Sequence, residues 1–231
     1  MNMSSSALLE FVRLMVVDGD VGHVSSRLRA NPELATMALP VGATRAQAVD
    51  FFFTEIRHYM YGGDTALHMA AAACSRPLAE LMVSHGASCR ARNRRGAEPL
   101  HYAADGNRSQ AQADVIEYLI SIGAGPNTVD KSGVAPLHRA VRTRSLAAVR
   151  ALLDHGAKLQ QPNKSGSTPL HLAVQTTGAS GSGSDEARRE QAEIIKLLLA
   201  RGAQRTDLDA HGKTVEQAAT TQWVQDLLRG A

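Results

Sequence analysis

Nine histidines in a chain of 231 residues raise the question of metal binding or acid–base catalysis. Four of them follow a leucine, at steps of 33, 37 and 33 residues: Leu67-His68, Leu100-His101, Leu137-His138 and Leu170-His171. The ligands of one metal ion must converge on one point, whereas residues a whole repeat apart lie in different layers of a repeat protein. No two histidines have the four-residue spacing with an intervening glutamate that a zinc hydrolase requires. We therefore predict that these four histidines are structural and that the chain binds no metal.

Two short motifs resemble ligand-binding loops but lack an essential residue. A phosphate-binding loop that ended in Gly212-Lys213-Thr214 would need glycine where the chain has Asp207. A calcium-binding loop that began at Asp207 would need a bidentate acid at its twelfth position, which is Ala218. The sequence also contains no nucleophile elbow, paired-acid arrangement or dinucleotide-binding fingerprint. We therefore predict that the chain is not an enzyme and uses no cofactor.

The Leu-His pairs belong to a longer repeated unit. Related segments begin at Thr65, Glu98, Ala135 and Thr168, each continuing as Ala/Pro-Leu-His-x-Ala, and a degenerate fifth copy runs from Thr214 to Ala219. After each segment an apolar run ends in Gly-Ala, at Gly86, Gly123, Gly156, Gly202 and Gly230. Between these runs and the Leu-His segments, an Asn or Asp precedes a glycine by three residues, at Asn93, Asp130, Asn163 and Asp209. These three marks in one register resemble the ankyrin repeat, a turn followed by two antiparallel helices, from about Met60 onward.

Each mark also has a local physical reason. Thr168 can cap the amides at a helix start, and Pro169 fits the first helical position, where a missing N–H costs nothing. The glycine after each apolar run can supply a left-handed helix cap, and the Asx residue with its following glycine predicts a tight turn. Ala135 has no side-chain acceptor, so we expect its helix start to be weaker by about 1 kcal/mol than one with threonine.

We expect one domain over residues 1–231, since the chain also ends on its own Gly-Ala. Its predicted parts are an N-terminal cap repeat (7–35), an aromatic-rich insertion (36–59), four full repeats (60–92, 93–129, 130–162 and 163–208) and a C-terminal cap repeat (209–231). The second repeat carries extra residues around 106–110. The fourth carries a longer insertion that includes residues 177–185, whose Gly/Ser composition is typical of a flexible linker.

Aromatic residues concentrate in and just after the insertion. Phe51, Phe52, Phe53, Tyr59 and Tyr61 are five of the nine aromatic residues in the chain. The pattern predicts a short helix over 44–53 and a strand-like arm over 56–61. Two interpretations stay open: the aromatic side chains fill the junction between the cap and the first full repeat, or some remain exposed and anchor a partner.

Composition limits the location and the kind of partner. The formal net charge is only +3, and no apolar run is long enough to span a bilayer. The N-terminus carries Glu10 and Arg13 inside its apolar run, which indicates an amphipathic helix and not a signal peptide. The only cysteines, Cys74 and Cys89, are therefore expected to be reduced. We expect a monomeric cytoplasmic protein without membrane contact.

The resemblance implies an all-α ankyrin-repeat solenoid with projecting hairpin fingers, acting as a non-catalytic protein–protein interaction module. In that architecture the residues after each Asx mark and near the end of each first helix face outward. Basic residues recur there, which predicts a basic concave strip that binds an acidic protein segment. The predicted partner-binding residues are Tyr61, Asp64, Arg94, Arg95, Asp105, Lys131, Arg142, Lys164, Gln175, His211 and Lys213, with Phe52 and Phe53 as further apolar contacts.

Two alternative functions stay open, and the first of them uses the same surface. Nucleic acid or another polyanion could bind the basic strip, although the low net charge and the lack of aromatic residues between the basic positions favour a protein partner. The chain could also be the regulatory subunit of a separately encoded enzyme or toxin.

Overall fold

The computed structural model describes residues 3–44, 48–106, 110–175 and 184–230. The chain forms two compact units, Met1–Gly125 and Pro126–Ala231. Each unit is built mainly from pairs of helices in which the first helix is short. The fold class expected from the sequence, an all-α ankyrin-repeat solenoid, is confirmed by these helix pairs.

The first unit contains six α-helices and one short hairpin among its described residues. The helices are α1 (Met3–Val17), α2 (Val21–Ala30), α3 (Ala66–Ala72), α4 (Arg76–Ser84), α5 (Pro99–Ala104) and α6 (Gln110–Ser121). Between α2 and α3 lie two 3₁₀ turns, Pro32–Ala35 and Val49–Phe51, and the antiparallel strands β1 (Phe52–Phe53) and β2 (His58–Tyr59). Helix α3 is buried along its whole length, which its small alanine side chains permit.

The second unit contains six α-helices among its described residues. They are α7 (Pro136–Arg142), α8 (Leu146–Asp154), α9 (Pro169–Ala173), α10 (Asp185–Ala200), α11 (Val215–Ala218) and α12 (Gln222–Arg229). The buried side chains of α8 and α10 recur on one face of each helix, as expected for a helix that packs on its partner and exposes its other side. Residues 107–109 of the insertion predicted around 106–110, and residues up to 183 of the insertion predicted to include 177–185, lie outside the described residues.

The repeated histidines cap the first helices and join successive repeats. The Nδ1 atoms of His68, His138 and His171 accept the backbone N–H of the residue three positions earlier, at 3.1 to 3.2 Å. Their Nε2 atoms lie 3.3, 3.2 and 3.4 Å from the carbonyl oxygens of Ala97, Ser167 and Lys213, in the following repeat. One ring nitrogen therefore accepts and the other donates, as in a neutral imidazole. Burial lowers the pKa of His68 and of His138, which favours this neutral form. The structural role predicted for the Leu-His histidines is confirmed for these three.

Glycine ends the second helices as the Gly-Ala marks predict. Gly86 has φ +90°, its N–H donates to Val83 O at 2.9 Å, and the next N–H, that of Ala87, donates to Met82 O at 3.0 Å. These are the two hydrogen bonds of a Schellman cap, and the same pair of bonds recurs at Gly123, Gly156 and Gly202. Gly230 differs, because its φ of −91° is not left-handed. The left-handed cap predicted at the fifth Gly-Ala is therefore wrong.

The Asx turns are formed at all four predicted positions. The Oδ1 atom of each Asx side chain accepts two backbone N–H groups, two and four residues later, at 2.8 to 3.1 Å; these residues are Asn93, Asp130, Asn163 and Asp209. Successive turns are also joined within each unit, since Arg94 N donates to Gly62 O at 2.7 Å and Lys164 N to Ser132 O at 3.0 Å. The turn backbone is thus held both locally and by its neighbour.

The aromatic segment differs from its prediction. The helix predicted over 44–53 is wrong: the described part has only the 3₁₀ turn Val49–Phe51, followed directly by β1, while residues 45–47 lie outside the described part. The strand-like arm predicted over 56–61 is confirmed as β2, although β2 is shorter. Residues that precede the aromatic side chains pair with the first turn, which spans residues 61–64. Gly63 N donates to Leu39 O and Leu39 N to Asp64 O, both at 2.7 Å. The insertion therefore covers the first turn instead of folding as a separate helix.

Candidate protein-binding surface

Three aromatic rings form a partly exposed cluster on the hairpin of the first unit. The ring centroids of Phe52 and Tyr59 are 4.7 Å apart, and those of Tyr59 and Tyr61 are 6.3 Å apart. Tyr59 is 37% exposed, whereas Phe51 and Phe53 are buried beneath the hairpin. Alternation along a strand explains this division, because successive side chains point to opposite faces. Phe51 and Phe53 therefore fill the interior as the first interpretation predicts, and Tyr59 remains exposed, while its role as an anchor for a partner stays a prediction.

Two arginines of the next turn lie over Tyr61. The guanidinium carbon of Arg95 is 4.2 Å from the centre of the Tyr61 ring, and that of Arg94 is 5.7 Å from it. The Asx turn sets this position, since Asn93 Oδ1 accepts the backbone N–H of Arg95 at 2.9 Å. Arg94 also donates from Nη2 to the carbonyl oxygen of Ala43. The two arginines therefore have different environments although they are adjacent in sequence.

An open groove of about 270 Å³ lies beside these side chains. Its walls combine small apolar groups, two tyrosine rings and two cations; they are Ala43, Thr44, Ala48, Tyr59, Tyr61, Arg94 and Arg95. Only Tyr61, Arg94 and Arg95 of this set are predicted partner-binding residues. The alanines and Thr44 could not be found from the repeat pattern, because they precede the first full repeat and reach the groove only through the pairing of residues 39–43 with the first turn.

Asp64 does not face outward, and its predicted position is wrong. The residue is fully buried, and its carboxylate accepts hydrogen bonds from Tyr61 N at 2.6 Å, Tyr102 Oη at 2.6 Å and Asn93 Nδ2 at 2.9 Å. The insertion covers this turn, so the position that is open to solvent in an uncovered turn becomes interior. Asp64 instead fixes the backbone of Tyr61 and thereby the groove. Tyr102, in the variable position after Leu100-His101, is a supporting residue that sequence reasoning missed.

Three further predicted contacts of the first unit are partly or wholly covered. Phe53 is only 1% exposed and lies under the guanidinium of Arg13, whose carbon is 5.4 Å from the ring centre, so its predicted exposure is wrong. Phe52 is half-buried. Asp105 is also half-buried, and its Oδ2 atom is 3.9 Å from His58 Nε2. Of these three residues, only Phe52 lies in the aromatic cluster beside the groove.

The second unit presents its predicted residues at the surface. The exposed residues are Lys131, Arg142, Lys164, Gln175, His211 and Lys213. Lys131, Lys164 and Lys213 lie on three successive turns, which are joined by the bonds from Lys164 N to Ser132 O and from Ala210 N to Ser165 O. In the described part of the chain none of these three lysines has a carboxylate partner. Asp130, the acid nearest to Lys131 in the first of these turns, pairs instead with Arg139 at 3.1 Å.

The described residues contain no cluster of three or more histidine, cysteine or acidic side chains that could hold a metal ion. Cys74 is buried and Cys89 is half-buried, and neither forms a disulfide. Burial raises the pKa of the Cys89 thiol, which disfavours the reactive thiolate. Among the helices that the structure describes, none is both long enough and apolar enough to cross a membrane.

Comparisons with known proteins agree with the repeat pattern. The mouse (Mus musculus) B-cell lymphoma 3 protein homolog is 30% identical over 204 residues, which cover 86% of this chain and 39% of that protein. The Arabidopsis thaliana E3 ubiquitin-protein ligase KEG is 27% identical over 231 residues, covering 85% of this chain and 13% of that protein. The human (Homo sapiens) ankyrin repeat and SOCS box protein 6 is 29% identical over 158 residues, or 64% of this chain and 37% of that protein. The chain thus spans less than half the length of each of these relatives.

Two family profiles also match. The profile of ankyrin repeats in three copies matches residues 37–130 and 108–182, and the profile of a single ankyrin repeat matches residues 165–213. These ranges include the Asx turns, the Leu-His helix starts and the Schellman caps described above, and they cover well over half of the sequence. The chain belongs to the ankyrin-repeat family.

Proposed function

We propose that this chain is a non-catalytic module that binds a partner protein through the exposed cations of its turns, and that the partner supplies an acidic segment. One observation carries the proposal: Arg95, Lys131, Lys164 and Lys213 are exposed and have no carboxylate partner among the described residues. The acids of the same turns are already engaged. Asp64 accepts three hydrogen bonds, and the carboxylates of Asp130 and Asp209 accept turn N–H groups. The exposed cations of the turns therefore form no ion pair with the acids of those turns.

Rigid display would give such a surface its affinity. The backbone of each turn is held by its Asx side chain and by the bond to the neighbouring turn, so little conformational entropy is lost when a partner binds. Opposite charge speeds the encounter and sets the register of the partner. The cytoplasmic location and monomeric state expected from the sequence remain predictions.

The proposal is tested by charge reversal in each unit. One variant carries Arg94→Glu and Arg95→Glu, and another carries Lys131→Glu, Lys164→Glu and Lys213→Glu. The matched control is Arg188→Glu with Arg189→Glu, because these exposed arginines lie on helix α10 and away from the turns. Partners are captured from native extract, identified by mass spectrometry and measured again as purified proteins. We expect the control to retain the partner and at least one turn variant to lose it. Retention by both turn variants, with their folds intact, would contradict the proposal.

Nuclease treatment separates the nucleic-acid alternative. If the partner is a protein, its retention is unaffected by nuclease and depends only moderately on salt. A captured species that disappears after nuclease treatment, with an affinity that falls steeply between 50 and 200 mM salt, would instead favour binding of nucleic acid. A partner with enzyme activity that changes when the chain binds would identify a regulatory subunit.

A further inference from the structure

We infer that the groove beside Tyr61 binds a short partner segment in which an aspartate or glutamate lies next to an apolar side chain. In this site Arg95 binds the carboxylate, and the groove receives the apolar neighbour. The inference rests on the proposed function, which it narrows to one site and one kind of peptide.

Arg95 is held ready to bind a carboxylate. Its guanidinium lies over the face of the Tyr61 ring, and Asn93 fixes its backbone. Stacking uses the face of the planar guanidinium and leaves its N–H edge available, which is the edge that binds a carboxylate in a bidentate manner. No acidic side chain in the described part of the chain pairs with it. Part of the conformational freedom that an arginine loses on binding is therefore already lost in the free protein.

Arg94 has a different role in the same groove. Its guanidinium already donates to the carbonyl oxygen of Ala43 and lies farther from Tyr61, at 5.7 Å. This bond joins the turn to the segment that pairs with it, so Arg94 forms a wall of the groove. We therefore assign the recognition of charge to Arg95 and the shape of the groove to Arg94.

The size and lining of the groove indicate a peptide side chain as its occupant. Its volume of about 270 Å³ is below the range of about 300–1,000 Å³ that small-molecule sites usually have. Ala43, Ala48, Tyr59 and Tyr61 give it apolar walls, and its polar groups include the Thr44 hydroxyl and the two arginines. An apolar side chain can be covered by these walls while an acidic neighbour reaches Arg95. Tyrosine and arginine are also among the residue types that most often dominate the binding energy at protein interfaces.

The first experiment selects peptides against the full chain. A random library of nine-residue displayed peptides is panned on the purified chain, and the consensus peptide is synthesised with its acidic residue and with the matching amide. Fluorescence anisotropy then gives the Kd of both peptides. We expect an acidic residue beside an apolar one in the consensus, and about tenfold tighter binding of the acid than of the amide.

Three variants assign the roles. Arg95→Gln should bring the ratio of the two Kd values close to one, because the group that distinguishes acid from amide is gone. Arg94→Gln should weaken both peptides and keep the ratio. Arg188→Gln, a matched loss of one positive charge on helix α10 and away from the turns, should change neither. A urea unfolding curve of each variant checks the fold, and Tyr61→Leu, which keeps an apolar side chain but removes the stacking, should lower the ratio without removing Arg95.

The outcomes separate this inference from the proposed function. If the consensus is acidic but its binding depends on Lys131, Lys164 and Lys213 and not on Arg95, the groove inference fails and the proposed function stands. If no acidic consensus emerges, both fail. If a phosphorylated version of the peptide binds more than tenfold tighter than the acidic one, the assignment of a carboxylate is overturned. An acid-to-amide ratio that Arg95→Gln leaves unchanged overturns it as well.

Discussion

The Asx turns at Asn93 and Asp130 have the same backbone but use their side chains differently. In the first unit, the Asn93 amide donates from Nδ2 to Asp64 and to Tyr102 Oη, both at 2.9 Å, and so joins two successive turns. In the second unit, the Asp130 carboxylate accepts from Arg139, which belongs to the same repeat. Both use Oδ1 to close the turn. The repeat therefore fixes the hydrogen bonds of Oδ1 in the Asx side chain and leaves the partner of its second polar atom free to vary.

The difference follows from what covers each turn. The pairing of residues 39–43 with the first turn removes Asp64 from water, and a buried carboxylate needs donors on every side. Tyr61 N, Tyr102 and Asn93 supply them. Asp130 has Arg139 beside it, and the net effect of two backbone donors and this cation holds the pKa of Asp130 below its usual range, although burial acts in the opposite direction. The turn that ends at Asp64 is thus held by a buried network that it shares with the Asn93 turn. The Asp130 turn is held by a local ion pair.

The largest expected effect tests the shared network. Asp64→Ala removes the acceptor of two buried donors and one half-buried donor, and we expect the free energy of unfolding to fall by about 3 kcal/mol or more. Asp130→Ala should cost less, about 2 kcal/mol, because the backbone donors it releases are at exposed or half-buried residues where water can replace the carboxylate. Most of this cost comes from Arg139, a buried cation that loses its carboxylate partner. Urea denaturation of both variants measures the difference. Equal costs would contradict the conclusion that the buried network around Asp64 stabilises the fold more than the local contacts of Asp130.

The second test concerns how closely one Asx turn approaches the next. Gly166 has φ +72°, and a Cβ atom there would lie 2.2 Å from Ala210 N in the next turn, so Gly166→Ala should cost about 2–4 kcal/mol. Gly156 also has a positive φ of 84° but has no atom within 4 Å of such a Cβ. Gly156→Ala should therefore cost only the backbone strain, about 1 kcal/mol. If both substitutions cost the same in thermal unfolding, close approach of the next turn contributes nothing.

Smaller losses of stability are expected when one partner of each carboxylate is replaced, Tyr102 for Asp64 and Arg139 for Asp130. Tyr102→Phe removes one hydroxyl donor from a buried carboxylate, which should lower the free energy of unfolding by about 1–2 kcal/mol. Arg139→Lys keeps the positive charge near Asp130, so we expect a loss below about 1 kcal/mol. Urea curves at neutral pH give both values. A larger loss for Arg139→Lys would show that the geometry of the ion pair, and not its charge, holds the Asp130 turn.

The smallest expected effect at neutral pH comes from the buried histidines, whose influence on the free energy of unfolding increases as the pH is lowered. Because burial holds the pKa of His68 and His138 below the ordinary value of 6.5, the unfolded chain binds more protons than the folded chain just below pH 6.5. The free energy of unfolding should therefore fall as the pH decreases from 6.5 toward the lower pKa of the folded protein. His138→Gln should reduce this dependence, since in the last repeat Gln217 Oε1 accepts the N–H of Thr214 at 2.9 Å in the same way. A stability that does not change between pH 7.5 and 5.5 would contradict the neutral assignment of the buried rings.

Sequence reasoning succeeded where the determinants are local. The Schellman caps at four of the five Gly-Ala marks, the four Asx turns and the structural role of three Leu-His histidines each depend on residues within a few positions or on the regular spacing of repeats. It failed for Asp64, Phe53 and the helix predicted over 44–53. These depend on how a segment without the repeat pattern folds over the first turn, which no periodicity encodes. The roles of the exposed cations stay predictions, since a repeat pattern gives the position of a residue but not its ligand.

The histidine bridges have a consequence for measuring how the chain opens. In His68, His138 and His171 the ring proton on Nε2 is buried and points at a carbonyl oxygen of the following repeat. Such a proton can exchange with solvent only when that repeat moves away. Its exchange rate in NMR spectra therefore reports the opening of one particular junction between repeats. The three rings are natural probes of where fraying begins, and they require no label attached to the protein.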